Sequence, residues 1–277
     1  MTLSPRRVNE LLTAHGIDPR RGFGQNFVAD PNTVRRIVRL ASLGADDQVV
    51  EIGPGLGSLT LALCETGAKV VAVEADNRLL PVLDEVLVAA EVREQVRIVA
   101  ADALEVDWAE VLDPGGAWVL VANLPYNVAA TLVLHLLDTA PQIGRMVVMV
   151  QREVGERLAA AAGSAAYGIP SVKLAYWADA AVVARIPATV FVPRPRVESV
   201  IVEVRRRPRP RTDADPEVLF SLVRAAFNQR RKMLRRSLAG VVPEGAFAAA
   251  GIEPSQRPEE LDVVAWGRLA DACVPGR

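Results

Sequence analysis

The stretch Glu51-Ile-Gly-Pro-Gly-Leu-Gly57 decides the fold, because it joins a short apolar run, Gln48–Ile52, to a helical run, Ser58–Cys64. Glycines in such a loop let a ligand approach the main chain, and the free N–H groups of the following helix face that ligand. The spacing G-P-G-L-G puts Ser58 where a dinucleotide-binding G-x-G-x-x-G loop has glycine. Taken alone, the loop is compatible with a tight turn or with an NAD-binding fold.

Acidic residues at the ends of successive strands indicate which kind of ligand the loop binds. Glu74 follows the run Lys69–Val73 and lies 21 residues after Gly53, where a carboxylate accepts ribose hydroxyl groups. Asp102 follows the third strand, where an acid meets an adenine amine. Because strand ends of an open α/β sheet share one crevice, these acids predict a nucleoside cofactor. Glu51 beside the loop disfavours a pyrophosphate and suits a cationic ligand, such as an amino acid ammonium or a sulfonium.

Strand-type and helical runs alternate over the first part of the chain. The strand-type runs are Gln48–Ile52, Lys69–Val73, Val96–Ala100, Trp118–Ala122 and Arg145–Val150. The helical runs are Pro5–His15, Pro31–Leu43, Ser58–Cys64, Arg78–Ala90, Ala129–Leu137 and Arg152–Ala162. Two longer β-type segments, Ser171–Ile186 and Ser199–Arg205, are expected to form a terminal antiparallel pair. The pattern predicts an α/β, Rossmann-like domain with a mostly parallel seven-stranded sheet that helices cover on both faces.

Composition changes sharply at Arg205–Pro216 (RRRPRPRTDADP), which predicts an extended, solvated connector. Beyond it the pattern is helical, in the segments Pro216–Asn228, Gln229–Ala239, Glu244–Ala250 and Val263–Cys273. We therefore expect a ligand-binding domain over residues 1–207 and a small all-helical domain over residues 208–277.

The segment Asn123-Leu-Pro-Tyr126 follows the fourth strand and has the groups needed to hold an adenine amine. The N6 amine is a poor nucleophile, because its lone pair is delocalised into the ring. The Asn123 side-chain oxygen and the Leu124 carbonyl can accept its two hydrogens, and Pro125 rigidifies the turn. Tyr126 offers a face on which a flipped base stacks. The alternative is a turn with a local hydrogen bond and a core tyrosine.

Overall composition excludes several classes of protein. The chain has 277 residues, a formal net charge of -1, two cysteines and two histidines. His15, His135, Cys64 and Cys273 are therefore expected to be structural, with no disulfide framework and no metal site. The start of the chain lacks the apolar run of a signal peptide, and no run is long enough to cross a membrane. A cytoplasmic monomer is the expectation.

Positive charge is concentrated late in the chain. From Arg205 to Arg236 there are eleven Lys and Arg residues against three acids. One helical stripe is predicted to carry residues 231, 232, 235 and 236, which would present cations at the spacing of phosphates. The predicted RNA-binding residues are Arg224, Arg230, Arg231, Lys232, Arg235 and Arg236. The alternative is an ordinary solvated face.

These motifs resemble the ribosomal RNA adenine N6-dimethyltransferase family, in particular its small-subunit branch. The resemblance spans nearly the whole chain and also includes Gly24-Gln-Asn-Phe-Val28, Gln151-Arg-Glu-Val154, Phe191–Ser199 and Phe227–Leu238. It implies a class I methyltransferase fold and the cofactor S-adenosylmethionine. The residues that it implies as cofactor contacts are Asn26, Val28, Gly53, Glu74, Asp102 and Asn123, to which the loop itself adds Gly55.

The resemblance also implies a substrate. It would be two adjacent adenosines in the 3′-terminal hairpin of 16S, or small-subunit, ribosomal RNA, within an immature small subunit. Phe191 precedes a Pro-x-Pro turn and would stack the target base from the side opposite Tyr126, or would be a core aromatic residue. Phe23 and Phe27 are expected to close the methionine end of the pocket.

Three other functions remain open at this point. The chain could be a non-catalytic RNA-binding assembly factor on the same fold, or an Erm-type adenine methyltransferase of 23S, or large-subunit, RNA. A dehydrogenase is the third alternative. Binding of S-adenosylmethionine, the location of dimethyladenosine and the absence of NAD binding would discriminate among them.

Overall fold

A computed structural model describes residues 2–19 and 25–274. The strands are β1 (Phe27–Val28), β2 (Gln48–Ile52), β3 (Lys69–Glu74), β4 (Val96–Ala100), β5 (Trp118–Asn123), β6 (Ile143–Gln151), β7 (Ala178–Ile186), β8 (Phe191–Val192) and β9 (Ser199–Arg206). The first eight α-helices are α1 (Pro5–Ala14), α2 (Pro31–Ala41), α3 (Ser58–Cys64), α4 (Leu80–Ala89), α5 (Trp108–Val111), α6 (Ala129–Thr139), α7 (Arg152–Leu158) and α8 (Ile169–Trp177). The last four are α9 (Pro216–Phe227), α10 (Leu234–Ser237), α11 (Ala246–Ala249) and α12 (Val263–Cys273).

Seven strands form one sheet in the order β4-β3-β2-β5-β6-β9-β7. The pairs β4–β3, β3–β2, β2–β5 and β5–β6 are parallel, and β9 is antiparallel to β6. The chain leaves β2 towards one edge and returns at β5 towards the other. The carboxyl ends of β2 and β5 therefore flank the topological switch point at which open α/β sheets bind ligands. The prediction of a mostly parallel seven-stranded α/β sheet is confirmed.

Residues that are apolar on both faces explain why these strands lie inside the molecule. Val49, Val121 and Val147 are fully buried on one face, in a core shared with α1 to α4. Leu120 and Val148, their neighbours along the strands, are also fully buried. A parallel sheet needs this double cover, since helices pack on both of its sides.

A Ser or Asp immediately before a proline caps each of the first two helices. The Ser4 hydroxyl accepts a hydrogen bond from the Arg7 N–H, with Pro5 in the first turn of α1. The Asp30 carboxylate does the same for Thr33, with Pro31 in the first turn of α2. Each cap satisfies one of the N–H groups that a helix start leaves without a partner.

Contacts divide the chain into two units. Unit 1 comprises Met1–Gly155 and Ala181–Arg205, and unit 2 comprises Glu156–Ala180 and Arg206–Arg277. Residues Glu156–Ala180, which the sequence placed in the first domain, thus belong by their contacts to unit 2. Trp266, Leu219 and other residues of α8, α9 and α12 form the core of unit 2.

Ser171–Ile186 is not one β-type segment, which corrects the prediction. Residues 171–177 continue helix α8, and only Ala178–Ile186 form strand β7. Pro170 lies in the first turn of this helix, and the Ser171 hydroxyl accepts a hydrogen bond from the Gly168 N–H. Val172 and Tyr176 on this helix are buried in the core of unit 2. A short apolar run in a sequence is compatible with either a buried helix or a strand. Here packing against the core of unit 2 favours the helix.

The predicted helix Gln229–Ala239 is also wrong over most of its length. Helix α9 ends at Phe227, turns follow, and only Leu234–Ser237 are helical. The Leu234 N–H donates to the Gln256 carbonyl and the Arg235 N–H to the Pro254 carbonyl. These main-chain bonds to a distant loop replace the i→i−4 bonds that would have continued a helix.

The Arg- and Pro-rich connector is tied down rather than free in solvent. The Arg207 guanidinium donates to Asp179 Oδ2 at 2.7 Å, and Arg211 donates to the other oxygen of the same carboxylate. The main-chain N–H of Arg211 bonds to the Tyr176 carbonyl. The alternation of Pro and Arg predicted an extended, solvated connector and did not predict these hydrogen-bond partners, and several residues between 208 and 214 form bends.

None of the helices in residues 2–19 and 25–274 has the length and apolar character needed to span a membrane.

Candidate active site

The glycine loop between β2 and α3 requires glycine for two separate reasons. Gly53, Gly55 and Gly57 have φ angles of 69°, 59° and 88°, in the left-handed region that side chains disfavour. A Cβ atom on Gly55 would also lie 2.9 Å from the ring of Phe27. The close approach of loop and ring therefore leaves no room for a larger residue.

A cavity of about 280 Å³ lies at the carboxyl ends of β2, β3 and β5. Of the predicted site residues, its wall contains Asn26, Val28, Gly53, Gly55, Glu74, Asp102, Asn123 and Pro125. Leu124, Tyr126 and Phe191 do not line it. Other wall residues had no role assigned from the sequence, and the polar or loop-borne ones among them include Gln25, Ser58, Leu104 and Asn127, with Val8 from a separate helix. Val8 belongs to helix α1, Ser58 begins α3 and the other three lie on short loops, so no periodicity in the sequence predicts that they line the cavity.

Glu74 is held rigidly at the end of β3. Its carboxylate accepts the Gly55 N–H at 3.1 Å and the Asp76 N–H at 2.9 Å. Burial raises the pKa of Glu74 above its ordinary value, while those two main-chain bonds oppose the rise. An ionised carboxylate has about four acceptor positions, so this group can still accept hydroxyl donors from a ligand.

Asp102 has a smaller local role. Its Oδ1 accepts the Leu104 N–H at 2.9 Å, a bond that shapes the loop after β4. Asp102 also lines the cavity. Asp102 and Glu74 thus lie at the ends of neighbouring strands, as predicted.

Glu51 is the most unusual group of the cavity. It is only 1% exposed, and its Oε2 has no hydrogen-bond partner among the described residues. Burial raises the pKa of this carboxyl to about 8, and the charge of nearby Glu74 contributes to the rise. Within the described residues, the wall has three acidic side chains and no Lys, Arg or His. Such a site favours a cationic ligand over a polyphosphate.

Asn123, the last residue of β5, has an oriented side-chain amide. Its Nδ2 donates to the main-chain carbonyl of Asn26 at 2.9 Å. Its Oδ1 is buried and accepts no hydrogen bond from the part of the chain that the structure describes. Buried acceptors are seldom left without a partner, so this oxygen is available to a donor from a substrate. The next residue, Leu124, donates its N–H to the Met149 carbonyl and is fixed to β6.

Tyr126 and Phe191 lie close to each other. Their ring centroids are 6.4 Å apart, and the rings meet edge to face at 74°. The Tyr126 hydroxyl bonds to the Ser199 hydroxyl at 2.6 Å, and Phe191 is 3% exposed. A base held between both rings would need them parallel. Stacking by both residues therefore stays a prediction, and in this structure Phe191 is a core aromatic residue.

The segment before Gln25 lies outside the described residues. This applies to Gly24 of the motif Gly24–Val28 and to Phe23, which was expected to close the pocket. Phe27, its predicted companion, is described and lines the cavity. No group of three or more His, Cys, Asp or Glu side chains within residues 2–19 and 25–274 is placed to hold a metal ion.

The basic residues of unit 2 do not form the predicted helical stripe. Arg231 and Lys232 lie in the turn after α9, and Arg235 and Arg236 lie on the short helix α10. All four are exposed, as is Arg224 on α9. The stripe fails because the helix is interrupted, although the cations remain at the surface.

Arg230 differs from the other five cations. Its Nε donates to Glu259 at 2.6 Å, and its Nη2 donates to the Ala165 carbonyl at 2.9 Å. These contacts join three segments of unit 2. The charge of Arg230 is therefore already partnered, and its evident role is structural.

Comparisons with known proteins agree with this geometry. The model of the family "Ribosomal RNA adenine dimethylase" matches residues 17–272. A Cutibacterium acnes protein named Ribosomal RNA small subunit methyltransferase A is 47% identical, over 98% of this chain and 94% of that relative. A protein of the same name from Kineococcus radiotolerans is 49% identical, over 99% of this chain and 92% of the relative.

Solved structures show the same fold. A dimethyladenosine transferase from Plasmodium falciparum matches with a TM-score of 0.73 and 22% identity, over 87% of this chain and 94% of that one. The 23S rRNA methyltransferase ErmE matches with a TM-score of 0.68 and 26% identity, over 90% and 99%. The α/β unit is thus a class I methyltransferase fold. With the family match over nearly the whole chain, this shows that the chain belongs to the ribosomal RNA adenine dimethylase family.

Proposed function

We propose that this enzyme uses S-adenosylmethionine to dimethylate N6 of two adjacent adenosines in the 3′-terminal hairpin of small-subunit ribosomal RNA. The observation that carries the proposal is the buried, unpartnered Oδ1 of Asn123 at the edge of an acidic cavity. The relatives named Ribosomal RNA small subunit methyltransferase A support the choice of the small subunit. A cytoplasmic location follows from the substrate.

The cavity fits S-adenosylmethionine by the chemistry of its wall. Glu74 would accept the ribose hydroxyls, Asp102 the adenine amine, and Glu51 would face the cationic methionine end. Gly53 and Gly55 would let the ligand lie against the main chain, and Asn26 and Val28, which line the same cavity, would contact it as well. When bound, this cofactor supplies an electrophilic methyl group on a sulfonium.

The protein's own contribution is to prepare the target amine. Asn123 Oδ1 and the Leu124 carbonyl would accept the two N6 hydrogens and draw the nitrogen towards tetrahedral geometry, which localises its lone pair. Pro125 contributes no N–H that would compete, and Tyr126 offers a face to the base. An amide is neutral, so Asn123 orients the amine without removing its proton, and fixed dipoles in a dry site favour the transfer.

Unit 2 is proposed to bind RNA through phosphates. The exposed cations that would do so are Arg224, Arg231, Lys232, Arg235 and Arg236. Contacts of this kind hold a duplex in place without reading its sequence, and they weaken as salt is added. Arg230 is left out of this set, because it already pairs with Glu259.

Binding to an immature small subunit, and a part in its assembly, complete the proposal. The family resemblance carries both, and the protein is proposed to act as a monomer. A role in assembly without catalysis would leave the cavity without a use, so calorimetry with S-adenosylmethionine separates the two.

The test is methylation of unmodified small subunits with labelled S-adenosylmethionine, followed by nucleoside analysis and mapping. The expected product is dimethyladenosine at two neighbouring positions near the 3′ end of the small-subunit RNA. Large subunits are assayed in parallel, because the likeness to ErmE makes an Erm-type activity the second candidate. If dimethyladenosine formed only on the large-subunit RNA, the enzyme would have the Erm-type activity instead.

A further inference from the structure

The segment Gln25–Val28 is fastened to the rest of unit 1 at three points. Gln25 Nε2 donates to Asp76 Oδ2 at 2.8 Å. The Asn26 carbonyl accepts the Asn123 amide at 2.9 Å. Phe27 and Val28 pair with strand β8, and the Ala29 N–H continues this pairing to the Val190 carbonyl at 2.9 Å. The same four residues of the segment line the cavity.

The first attachment point is itself held firmly. Asp76 is 4% exposed and binds Arg78 through both of its oxygens, at 2.9 Å and 2.6 Å. This guanidinium lowers the pKa of Asp76 to about 2. The carboxylate therefore remains an acceptor for Gln25 over the whole physiological range of pH.

The second attachment point decides which atom of the Asn123 amide faces a substrate. A primary amide can be turned over, which exchanges its oxygen with its NH₂ group. With Nδ2 on the Asn26 carbonyl, Oδ1 is left to accept an amine hydrogen. The turned-over amide would set two oxygens against each other and would point N–H donors at an amine that is itself a donor.

We propose that the main-chain carbonyl of Asn26 is a positioning group that keeps the Asn123 amide in its productive orientation. The inference rests on the proposed adenine N6 methylation and deepens it. The segment Gln25–Val28 both lines the cavity and orients Asn123. Cofactor binding and the ability of Asn123 to accept the amine hydrogen therefore depend on the same segment. An enzyme with this segment displaced loses the acceptor as well as the wall.

The variant Asn123→Asp separates this idea from a simple acceptor role. An ionised Asp has acceptors only, so it would satisfy the amine but oppose the Asn26 carbonyl. A protonated Asp donates its O–H to that carbonyl and keeps its C=O for the amine. Burial, together with the ionised carboxylates that line the same cavity, raises the pKa of an acid at this place. The change of protonation therefore falls in an accessible range of pH.

Two readouts are measured on Asn123→Asp, on Asn123→Ala and on the unaltered enzyme. The first is kcat for methylation of small subunits from about pH 5.5 to about pH 8.5, each value divided by that of the unaltered enzyme. We expect the relative kcat of Asn123→Asp to rise about tenfold or more as pH falls, and that of Asn123→Ala to stay low and flat. The second is amide hydrogen exchange of residues 25–29 without cofactor, compared among the three proteins at each pH. Near pH 8 these residues should exchange faster in Asn123→Asp than in Asn123→Ala, and at low pH their exchange in Asn123→Asp should approach that of the unaltered enzyme.

The results have distinct meanings. The positioning role would be overturned if the relative kcat of Asn123→Asp were the same at every pH, whatever its size. It would also be overturned if residues 25–29 exchanged at the same rate in the variants as in the unaltered enzyme. If the unaltered enzyme forms no dimethyladenosine, the proposed function itself fails. The exchange readout needs no activity and still decides whether Asn123 holds the segment.

Discussion

The cavity of unit 1 and the basic surface of unit 2 were both predicted from short sequence motifs. Only the cavity has the arrangement of side chains that was predicted. Glu74, Asp102 and Asn123 are far apart in sequence and line one cavity. Arg231 and Arg235 are close in sequence, and the helix that was to align them is interrupted.

The difference lies in what places the side chains. The ends of neighbouring parallel strands meet at one edge of the sheet whatever the length of chain between them. The position of the basic segment is set by main-chain bonds to another loop, such as those from Leu234 and Arg235 to the loop around Gln256. Sheet topology therefore supports a prediction that helical periodicity on an exposed segment does not.

The largest effect is expected at the cavity. Replacing Asn123 by Ala removes the buried Oδ1 acceptor and should lower kcat by about 10²- to 10³-fold, the usual cost of losing one preorganised hydrogen-bonding group. The measurement is single-turnover methylation of unmodified small subunits. Circular dichroism and Tm serve as controls, because the side chain also bonds to Asn26. Full turnover by a folded Asn123→Ala protein would refute the amine acceptor.

A second large effect is expected at the glycine loop. Gly55→Ala places a methyl group 2.9 Å from the Phe27 ring, at a φ of 59°. We expect affinity for S-adenosylmethionine to fall about tenfold or more, with about 1–2 kcal/mol lost from the free energy of unfolding through backbone strain. Calorimetry and denaturant unfolding measure the two quantities.

Gly16→Ala is the matched control for Gly55. Gly16 has a φ of 61° and nothing within 4 Å of an added Cβ atom, so it has the strain without the contact. Its cofactor affinity should match that of the unaltered protein while its stability falls by a similar amount. Equal losses of affinity in both variants would show that strain, rather than the shape of the cavity, is responsible.

The sequence was informative where side chains lie on regular elements. The strands β2, β3, β4 and β5 agree with prediction, and the predicted residues Gly53, Glu74, Asp102 and Asn123 line the cavity. It was least informative where tertiary contacts override local pattern. Gln25 reaches Asp76 across a long stretch of chain, and Val8 enters the wall from a helix with no motif of its own. Neither contact leaves a periodic signal.

Glu51 provides a smaller, pH-dependent effect. Its carboxyl has a pKa of about 8 instead of 4.5, so the protein without a ligand holds it neutral through most of that range. A cationic cofactor favours the ionised form, and affinity should therefore improve as pH rises towards about 8, by less than about tenfold per pH unit. Glu51→Gln should remove this dependence in calorimetry. An unchanged slope would mean that another group titrates.

Stability should change in the opposite direction. A raised pKa in the folded state means that the fold favours the neutral carboxyl. That stabilisation is complete below the unfolded value near 4.5 and is lost as pH rises to about 8. The Tm of the unaltered protein should accordingly fall relative to that of Glu51→Gln over this interval. Parallel Tm curves would contradict the buried neutral state of Glu51.

The smallest effect concerns single cations of unit 2, where Arg235 and Arg230 form a matched pair. Arg235 is exposed on α10, whereas Arg230 is bound to Glu259 and to the Ala165 carbonyl. Arg235→Ala should weaken binding to small subunits by a few-fold and reduce the slope of log affinity against log salt by about one. Arg230→Ala should instead lower Tm, because it leaves Glu259 without its partner, and should change the salt slope little.

Filter binding across a salt series, with Tm measured for both variants, decides between the two roles. If Arg230→Ala reduces the salt slope as much as Arg235→Ala does, the ion pair opens on binding and Arg230 joins the RNA-binding set. If neither variant changes the slope, the exposed cations near α10 are only a solvated surface. The cavity residues would then be the only part of the site that sequence and structure describe alike, since sheet topology places them independently of any exposed loop.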